Sequence, residues 1–354
     1  MTSSKSCLII GDTHFDNCYP GYLDHQIETC FKLVNDRRAK IVVFLGDVYH
    51  HRKPHPEVVV KVTKLFQRLA KVPGVRQINV LRGNHDSANK SDDGLTALET
   101  LVYPDCKIRL IQHTLLDDEN NFLFIPHYED QDTIAESLTY AADRQTIVFG
   151  HFGFAGCLNA TGFLDFSLET EVFKNRTILG HIHRSAKEGN ITVLGTPWST
   201  NFGECDYEHF TGEMNYSSHT KTWGKLKMSP IDFGIRYYVC PYESLEQMKE
   251  EISDPNYFTV LRVLIDKFAE DTSNDLRQTI MKDYGVNHVD LKFQPVFDKK
   301  LNNRLSDFDP NVPITSIDSD IIQRYLEDNS SEIPNEDLTR GLDLIKSFED
   351  LNED

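Results

Sequence analysis

Three things are scarce in this 354-residue sequence, and each shortage narrows what the chain can be. The seven cysteines (7, 18, 30, 106, 157, 205 and 240) are scattered, odd in number and never spaced C-x-x-C. That excludes a disulfide framework and a cysteine-built zinc site, and it implies reduced thiols in a cytosol-like compartment. No apolar run approaches the roughly 20 residues that span a bilayer, and no signal-like hydrophobic segment opens the chain. A cytoplasmic location away from membranes is therefore expected. Positive charge is the third shortage: 37 Lys and Arg face 55 Asp and Glu, a net charge of -18. An acidic body does not advertise a nucleic-acid surface, although a local basic groove or a charged metal centre is compatible with it.

What is present is a soluble globular composition, 39% hydrophobic and 26% charged, long enough for two domains. Acidity is concentrated at the end: residues 301–354 hold 14 Asp and Glu against 4 Arg and Lys, so -10 of the -18 lies there and -8 in the first 300 residues. Across the N-terminal 200 residues, short apolar runs alternate with helical periodicities. Leu8-Ile9-Ile10, 41–45, 78–81, 122–125, 147–149, Ile178-Leu179 and 191–194 read as strands buried on both faces. Ile27, Cys30 and Val34 share one helix face; Val59, Val62, Phe66 and Leu69 share a second, with Pro56 suited to its first turn; Ile134, Leu138 and Ala141 share a third. The alternation predicts an α/β layered fold with helices covering the sheet.

The rest divides by pattern. Residues 1–204 form the expected main domain, and the Gly-, Ser- and Thr-rich stretch 205–230 reads as a linker or loop. Residues 231–300 hold strand, helix, strand, helix and strand patterns, a small α/β cap. Residues 301–354 read as an acidic linker with amphipathic helices. In the last of these, Leu338, Leu342, Ile345, Phe348 and Leu351 recur at three- and four-residue steps behind an Asn335 N-cap, a stripe that packs on its own body or docks on a partner.

The strand ends carry the chemistry. The stretch Leu81-Arg82-Gly83-Asn84-His85-Asp86 puts an amide, an imidazole and a carboxylate on three consecutive positions. Four further strands finish alike: Gly11-Asp12-Thr13-His14, Gly46-Asp47-Val48-Tyr49-His50, Gly150-His151 and Gly180-His181-Ile182-His183. Ligands bind at the carboxyl ends of parallel strands, so the five turns should converge. Two carboxylates, an amide and several imidazoles without a thiolate suit Mn²⁺, Fe²⁺ or Zn²⁺. Seven such groups are too many for one catalytic ion that keeps a water, and suit two. Each glycine lets the backbone turn sharply and come close to the ions.

The ordered set D-x-H, G-D-x-x-H, G-N-H-D, G-H and G-H-x-H resembles the calcineurin-like metallophosphoesterase superfamily over about residues 6–204. Gly46-Asp47-Val48-Tyr49-His50, with Gly195-Thr196-Pro197-Trp198, is most similar to the SbcD-type nuclease subunits of SbcCD recombination and repair complexes, bacteriophage versions above all. The resemblance implies the layered metallophosphoesterase fold, mixed β-sheets flanked by helices, with a small α/β cap for DNA recognition and a C-terminal helical tail. It also implies a DNA exonuclease and endonuclease that hydrolyses phosphodiesters by a metal-bound hydroxide. Asp12, His14 and His183 would hold one metal and Asn84, His151 and His181 the other, with Asp47 bridging. His85 would act over the phosphate as general acid or transition-state stabiliser, oriented by Asp86, and His50 would lie near the scissile phosphate. The cofactors implied are two divalent ions, Mn²⁺ foremost, with Mg²⁺, Fe²⁺ or Zn²⁺ as alternatives. The partners implied are double-stranded DNA ends and single strands, an SbcC-type SMC-like ATPase docked on the C-terminal stripe, and a second copy in a heterotetramer. The location is then the cytoplasm, of the host if the source is viral. Neutral imidazoles are needed, so activity should fall at mildly acid pH.

Other residues read more plainly. His51 and His55 beside Arg52 and Lys53 suit a solvated loop, His113 and His127 ordinary surface or hydrogen-bonded roles, Phe152 and Phe154 core packing, and Trp198 a place under the site. Two other functions compete. A small-molecule or cyclic-nucleotide phosphodiesterase, or a phosphatase of the same superfamily, suits the acidic charge. A non-catalytic scaffold is disfavoured by the complete set of ligands. The protein-phosphatase branch carries G-D-x-V-D-R-G and G-N-H-E, and this chain departs from both.

Overall fold

The apolar runs are strands, and they are apolar on both faces because each serves two cores. The computed structural model describes residues 5–89, 95–102, 107–142, 144–157, 168–265 and 273–293. β1 (Ser6–Ile10), β2 (Ile41–Phe44), β3 (Gln77–Leu81) and β4 (Ile108–Ile111) run parallel to one another. Side chains alternate across a strand. Leu8, Ile10, Val42, Phe44, Ile78 and Val80 therefore face α1 (Tyr22–Arg37) and α2 (Pro56–Ala70), while Cys7, Ile9, Ile41, Val43 and Leu81 enter a second core on the other side. α2 starts where Pro56 and the His55 N-cap place it, His55 accepting from Glu57 N at 3.3 Å. Its fully buried stripe is Val58, Val62, Leu65, Phe66 and Leu69; Val59, expected on that face, packs at its edge.

The second core is closed by another sheet, made of β5 (Leu115–Asp117), β6 (Phe122–Ile125), β7 (Ile147–His151), β8 (Thr177–Gly180), β9 (Ala186–Glu188) and β10 (Ile191–Val193). Its order is β5-β6-β7-β8-β10-β9, with β6, β7, β8 and β10 parallel and the two edge strands antiparallel. Phe122, Phe124, Phe149 and Ile178 point into the shared core; Leu123, Ile125, Val148 and Leu179 point outward beneath Ile134, Leu138 and Ala141 of α3 (Gln131–Ala141). Two mixed sheets flanked by helices result, the α/β layering that the resemblance implies.

Residues 205–230, expected as a linker, are largely strand. β11 (Phe210–Ser217) pairs antiparallel with β1, and β12 (Thr222–Trp223) and β13 (Lys227–Pro230) pair with β11, so the first sheet runs β12-β11-β1-β2-β3-β4. The segment hides in the sequence because only one of its faces is buried. Met214 and Trp223 enter the shared core while Glu213 pairs outside with Arg37 at 2.7 Å, so no continuous apolar run exists.

A third, all-parallel sheet holds β14 (Gly234–Pro241), β15 (Tyr257–Ile265) and β16 (His288–Phe293), with α4 (Leu245–Ile252) and α5 (Ser273–Tyr284) between them. Its strands also split by parity. Ile235, Tyr237, Phe258 and Val260 pack on α1, where Tyr237 meets Tyr22 (Oη–Oη 3.2 Å), and Tyr238, Cys240, Leu261 and Val263 form a core of their own with Leu245, Ile252 and Ile280. Residues Met1–Gln294 fall into one compact unit. The C-terminal helical tail expected over 301–354 lies outside the described residues. Among those described, no helix is long and apolar enough to cross a membrane.

Phe66 is fully buried on α2 against Phe44, ring centroids 4.9 Å apart. Phe66→Ala should cost about 3–5 kcal/mol of stability, read from the urea unfolding midpoint. A loss below about 1 kcal/mol would mean that this helix face does not anchor the sheet.

Candidate metal centre

The five glycine-marked turns do converge, at the carboxyl ends of β1, β2, β3, β7 and β8. The turns are tight enough to force unusual backbone. His14 (φ 43°), Asp47 (φ 44°) and His181 (φ 78°) are three of the six non-glycine residues with positive φ among those described. Each left-handed residue costs about 1–2 kcal/mol, and such strain clusters at functional sites. Gly46 (φ 116°) needs the same freedom, and a side chain on it would strike the His151 ring. Gly83 has no room either, since a Cβ there would run into Asp47.

All seven expected ligands meet here. Potential ligand atoms of Asp12, His14 and His183 lie within 4.8 Å of one another, and so do those of Asp47, His151 and His181. Asn84 joins the second group, its Oδ1 3.0 Å from His151 Nε2 and 2.9 Å from His181 Nδ1. Asp47 stands between the groups, with Oδ2 3.7 Å from His14 Nε2 and 3.4 Å from His151 Nε2.

Partners behind the rings decide which nitrogen faces the centre. His151 donates from Nδ1 to Leu45 O at 2.9 Å, so its Nε2 is the nitrogen that faces Asp47 and Asn84. His183 Nδ1 lies 2.5 Å from Glu204 Oε1, leaving its Nε2 3.0 Å from His14 Nε2. Glu204 was not anticipated from the sequence. It is buried, and it accepts also from Thr200 N and Thr200 Oγ1, each at 2.8 Å, and from Asn201 Nδ2 at 2.7 Å. A carboxylate behind a ligand histidine fixes its tautomer and raises its basicity. The available signal was Asn201-Phe202-Gly203-Glu204, the spacing of a capping box.

The charge balance asks for cations. Asp12 is fully buried; its Oδ2 accepts from His181 N at 2.6 Å, but its Oδ1 has no hydrogen bond, and burial raises its pKa to about 6. Burial alone would depress His151, but the Asp47 and Asp12 carboxylates outweigh it and hold the imidazole at about 9. Burial holds His14 and His181 well below the usual histidine value, so they are neutral lone-pair donors at pH 7. An orphaned carboxylate oxygen, two imidazole Nε2 atoms face to face and a hard oxygen and nitrogen donor set all fit divalent cations.

Around this centre two expectations are corrected. Asp86 does not orient His85: its carboxylate accepts from Tyr49 N (3.1 Å) and Gly83 N (2.9 Å), bracing the turns after β2 and β3, and burial pushes its pKa up to about 7. The His85 ring is held instead by the His50 carbonyl, 2.5 Å from Nδ1, while its backbone N–H donates to Asp47 Oδ1 at 2.8 Å. The sequence suggested otherwise because Asp86 is the neighbouring residue, whereas the real partner arrives from a different strand. His127, expected as an ordinary histidine, is mostly buried with its ring 5.7 Å from that of His181, and burial drops its pKa to about 4. With Tyr128, Phe152 and Arg52 it lines a cleft of about 330 Å³ beside Asn84 and His181.

The remaining residues lie where their chemistry suggests. His50 places its ring 5.4 Å from His14 and 6.0 Å from His85. His51, His55 and His113 are exposed. Phe152 and Phe154 are buried beside Phe173, and Trp198 is buried against Phe15, next to His14.

A family model of calcineurin-like phosphoesterases matches residues 6–240 of this arrangement. The chain is a calcineurin-like phosphoesterase. This hydrolase family uses divalent metals, and its match extends through β11 to β14, beyond the motif-bearing turns. No curated protein matches the phosphoesterase chain significantly. Among solved structures, the nuclease MPE of Pseudomonas putida is similar at 13% identity and TM-score 0.30, covering 64% of this chain and 87% of that one. A phosphatase of Mycoplasma pneumoniae is similar at 11% identity and TM-score 0.35, covering 65% and 94%.

Glu204→Ala should lower Mn²⁺ affinity of one of two sites by about 10–100-fold in a calorimetric titration, with Glu204→Gln intermediate. Unchanged binding would leave Glu204 a purely structural residue. The same titration of the wild-type protein should tighten from pH 6 to pH 9. The metal-free His151 is protonated below about 9, and each displaced proton adds up to about tenfold per pH unit until that pH is passed.

Proposed function

We propose that this phosphoesterase is a two-metal-dependent DNA nuclease, cleaving phosphodiester bonds exonucleolytically and endonucleolytically as the SbcD-type partner of an SbcC-type ATPase. The observation that carries the reading is one carboxylate, Asp47, standing between two clusters of candidate ligands, with two further imidazoles, His85 and His50, beside them. Asp12, His14 and His183 would hold one ion; Asn84, His151 and His181 the other. When bound, two divalent ions supply an activated water and neutralise charge on the phosphoryl group, and Mn²⁺ suits this donor set.

The chain's own residues do the rest. With His85 Nδ1 donating to the His50 carbonyl, its Nε2 is left to take a proton and pass it to a phosphate or leaving-group oxygen. The His85 ring lies 5.0 Å from that of His14, at the edge of the first group. Arg52 lines the cleft beside Asn84 and His181, its Nη1 donating to the carbonyls of Asn89 (2.9 Å) and Ser87 (3.4 Å). The net charge of -18 favours a second reading, a small-molecule or cyclic-nucleotide phosphodiesterase.

His85→Ala should lower Mn²⁺-dependent hydrolysis of linear DNA by about 10²–10⁴-fold while both ions still bind. Hydrolysis of bis-p-nitrophenyl phosphate with DNA untouched, even beside an SbcC-type ATPase, would replace the nuclease with the small-molecule enzyme. The partner reading rests on the apolar stripe of residues 334–354, outside the described residues. Deleting that stretch should abolish co-purification with the ATPase, and a complex that survives removes the stripe from the interface.

A further inference from the structure

A second cleft, of about 340 Å³, opens at the amino ends of β7 and β8, the opposite ends of the strands that carry His151 and His181. By strand rise the two ends of β7 lie about 13 Å apart. Arg144, Lys174, Arg176 and Lys221 line this cleft, and none of its described lining residues is Asp or Glu. Four cations in one lining that holds no described carboxylate are conspicuous in a chain of net charge -18.

The cleft is built on fixed parts. Asn175 ties its floor together, its Nδ2 donating to the carbonyls of Arg144 (2.5 Å) and Thr146 (3.1 Å). Arg176 is pinned by a 2.5 Å bond from Nη1 to Gly224 O. Arg144 is steadied by Tyr140, donating from Nη2 to its Oη at 2.9 Å, and its ion pair is with the exposed Asp118 at 3.7 Å, a weak pair that an incoming anion can displace. Lys174 and Lys221 form no ion pair with any described residue, and both are exposed. Like charges converging on a low-dielectric concavity focus a positive potential, and the groups that satisfy lysine and arginine together there are phosphates.

We propose that this cleft binds phosphate groups of the nucleic acid, at a point remote from the cleavage centre. The inference rests on the nuclease reading. It gives an acidic chain a local basic surface, and it would hold a flanking segment of the strand without taking part in hydrolysis.

The test compares wild type with the double variant Lys174→Glu/Lys221→Glu, both on the surface and outside the metal centre. Binding of fluorescently labelled DNA is followed by anisotropy in chelator, and bis-p-nitrophenyl phosphate turnover is measured with Mn²⁺. The variant should bind DNA roughly tenfold or more weakly, with a salt dependence shallower by about two counter-ions, and should turn over the small diester unchanged. Lys174→Arg/Lys221→Arg should bind as wild type does. A variant that binds DNA as tightly and as salt-dependently as wild type overturns the cleft and leaves the nuclease standing. Wild type that hydrolyses the small diester but binds no DNA overturns the nuclease reading, and the cleft proposal with it.

Discussion

The Asp47 side chain is the constraint on which the rest of the site depends. Its Oδ1 accepts the His85 backbone N–H, its Oδ2 stands between His14 and His151, and its backbone carbonyl accepts from His14 N at 2.9 Å. Burial would raise its pKa, but the surrounding imidazoles outweigh this and hold it well below the usual carboxylate value, so a buried group is charged. A buried charge is tolerable only when it is paired and hydrogen-bonded. Turns after β1, β2, β3 and β7 must therefore reach Asp47 together. The left-handed backbone at His14 and Asp47, and the missing side chain at Gly83, are what that approach requires.

Holding strained turns in place needs a stiff frame, and the two-sheet sandwich provides it. The shared core of Phe122, Phe124, Phe149, Ile9, Val43 and Leu81 lies directly below the strand ends, so a shift in either sheet would move ligands of both groups. The loop after β10 braces the site from one side: Trp198 packs on Phe15, Glu204 holds His183, and His209 bonds Ser199 (3.0 Å) and the Thr196 carbonyl (2.9 Å). That loop is steadied in turn by the third sheet, where the Phe202 ring meets Tyr237 and carries the Arg262 guanidinium 3.8 Å above it. The small sheet thus contributes to the candidate metal centre indirectly, by fixing the carboxylate behind His183.

Electrostatically the two ends of β7 and β8 are opposites. At the carboxyl ends two carboxylates and four imidazoles gather; at the amino ends four cations line a cleft whose described lining holds no Asp or Glu, with the exposed Asp118 beside Arg144. A net charge summed over the chain describes neither end, because fields near a surface follow the local arrangement of charge within a Debye length of about 10 Å.

The sequence by itself determined the strands that are apolar on both faces, the helices between them and the seven ligand types, since a glycine followed by Asp, Asn or His at a strand end is a local signal. It also determined the family, through the order of those turns. Tertiary structure decided what depends on distance between remote residues. β11 became part of the first sheet because β1 offered it an edge, and its one buried face left no apolar run to read. His85 took its orientation from the His50 carbonyl, not from Asp86 next to it. Glu204 reached His183, and His127 reached His181, across loops whose closure no periodicity records. Local patterns come from backbone geometry and side-chain burial, which act over a few residues; hydrogen-bond partners and shared charges come from packing, which brings together parts of the chain that the sequence keeps apart.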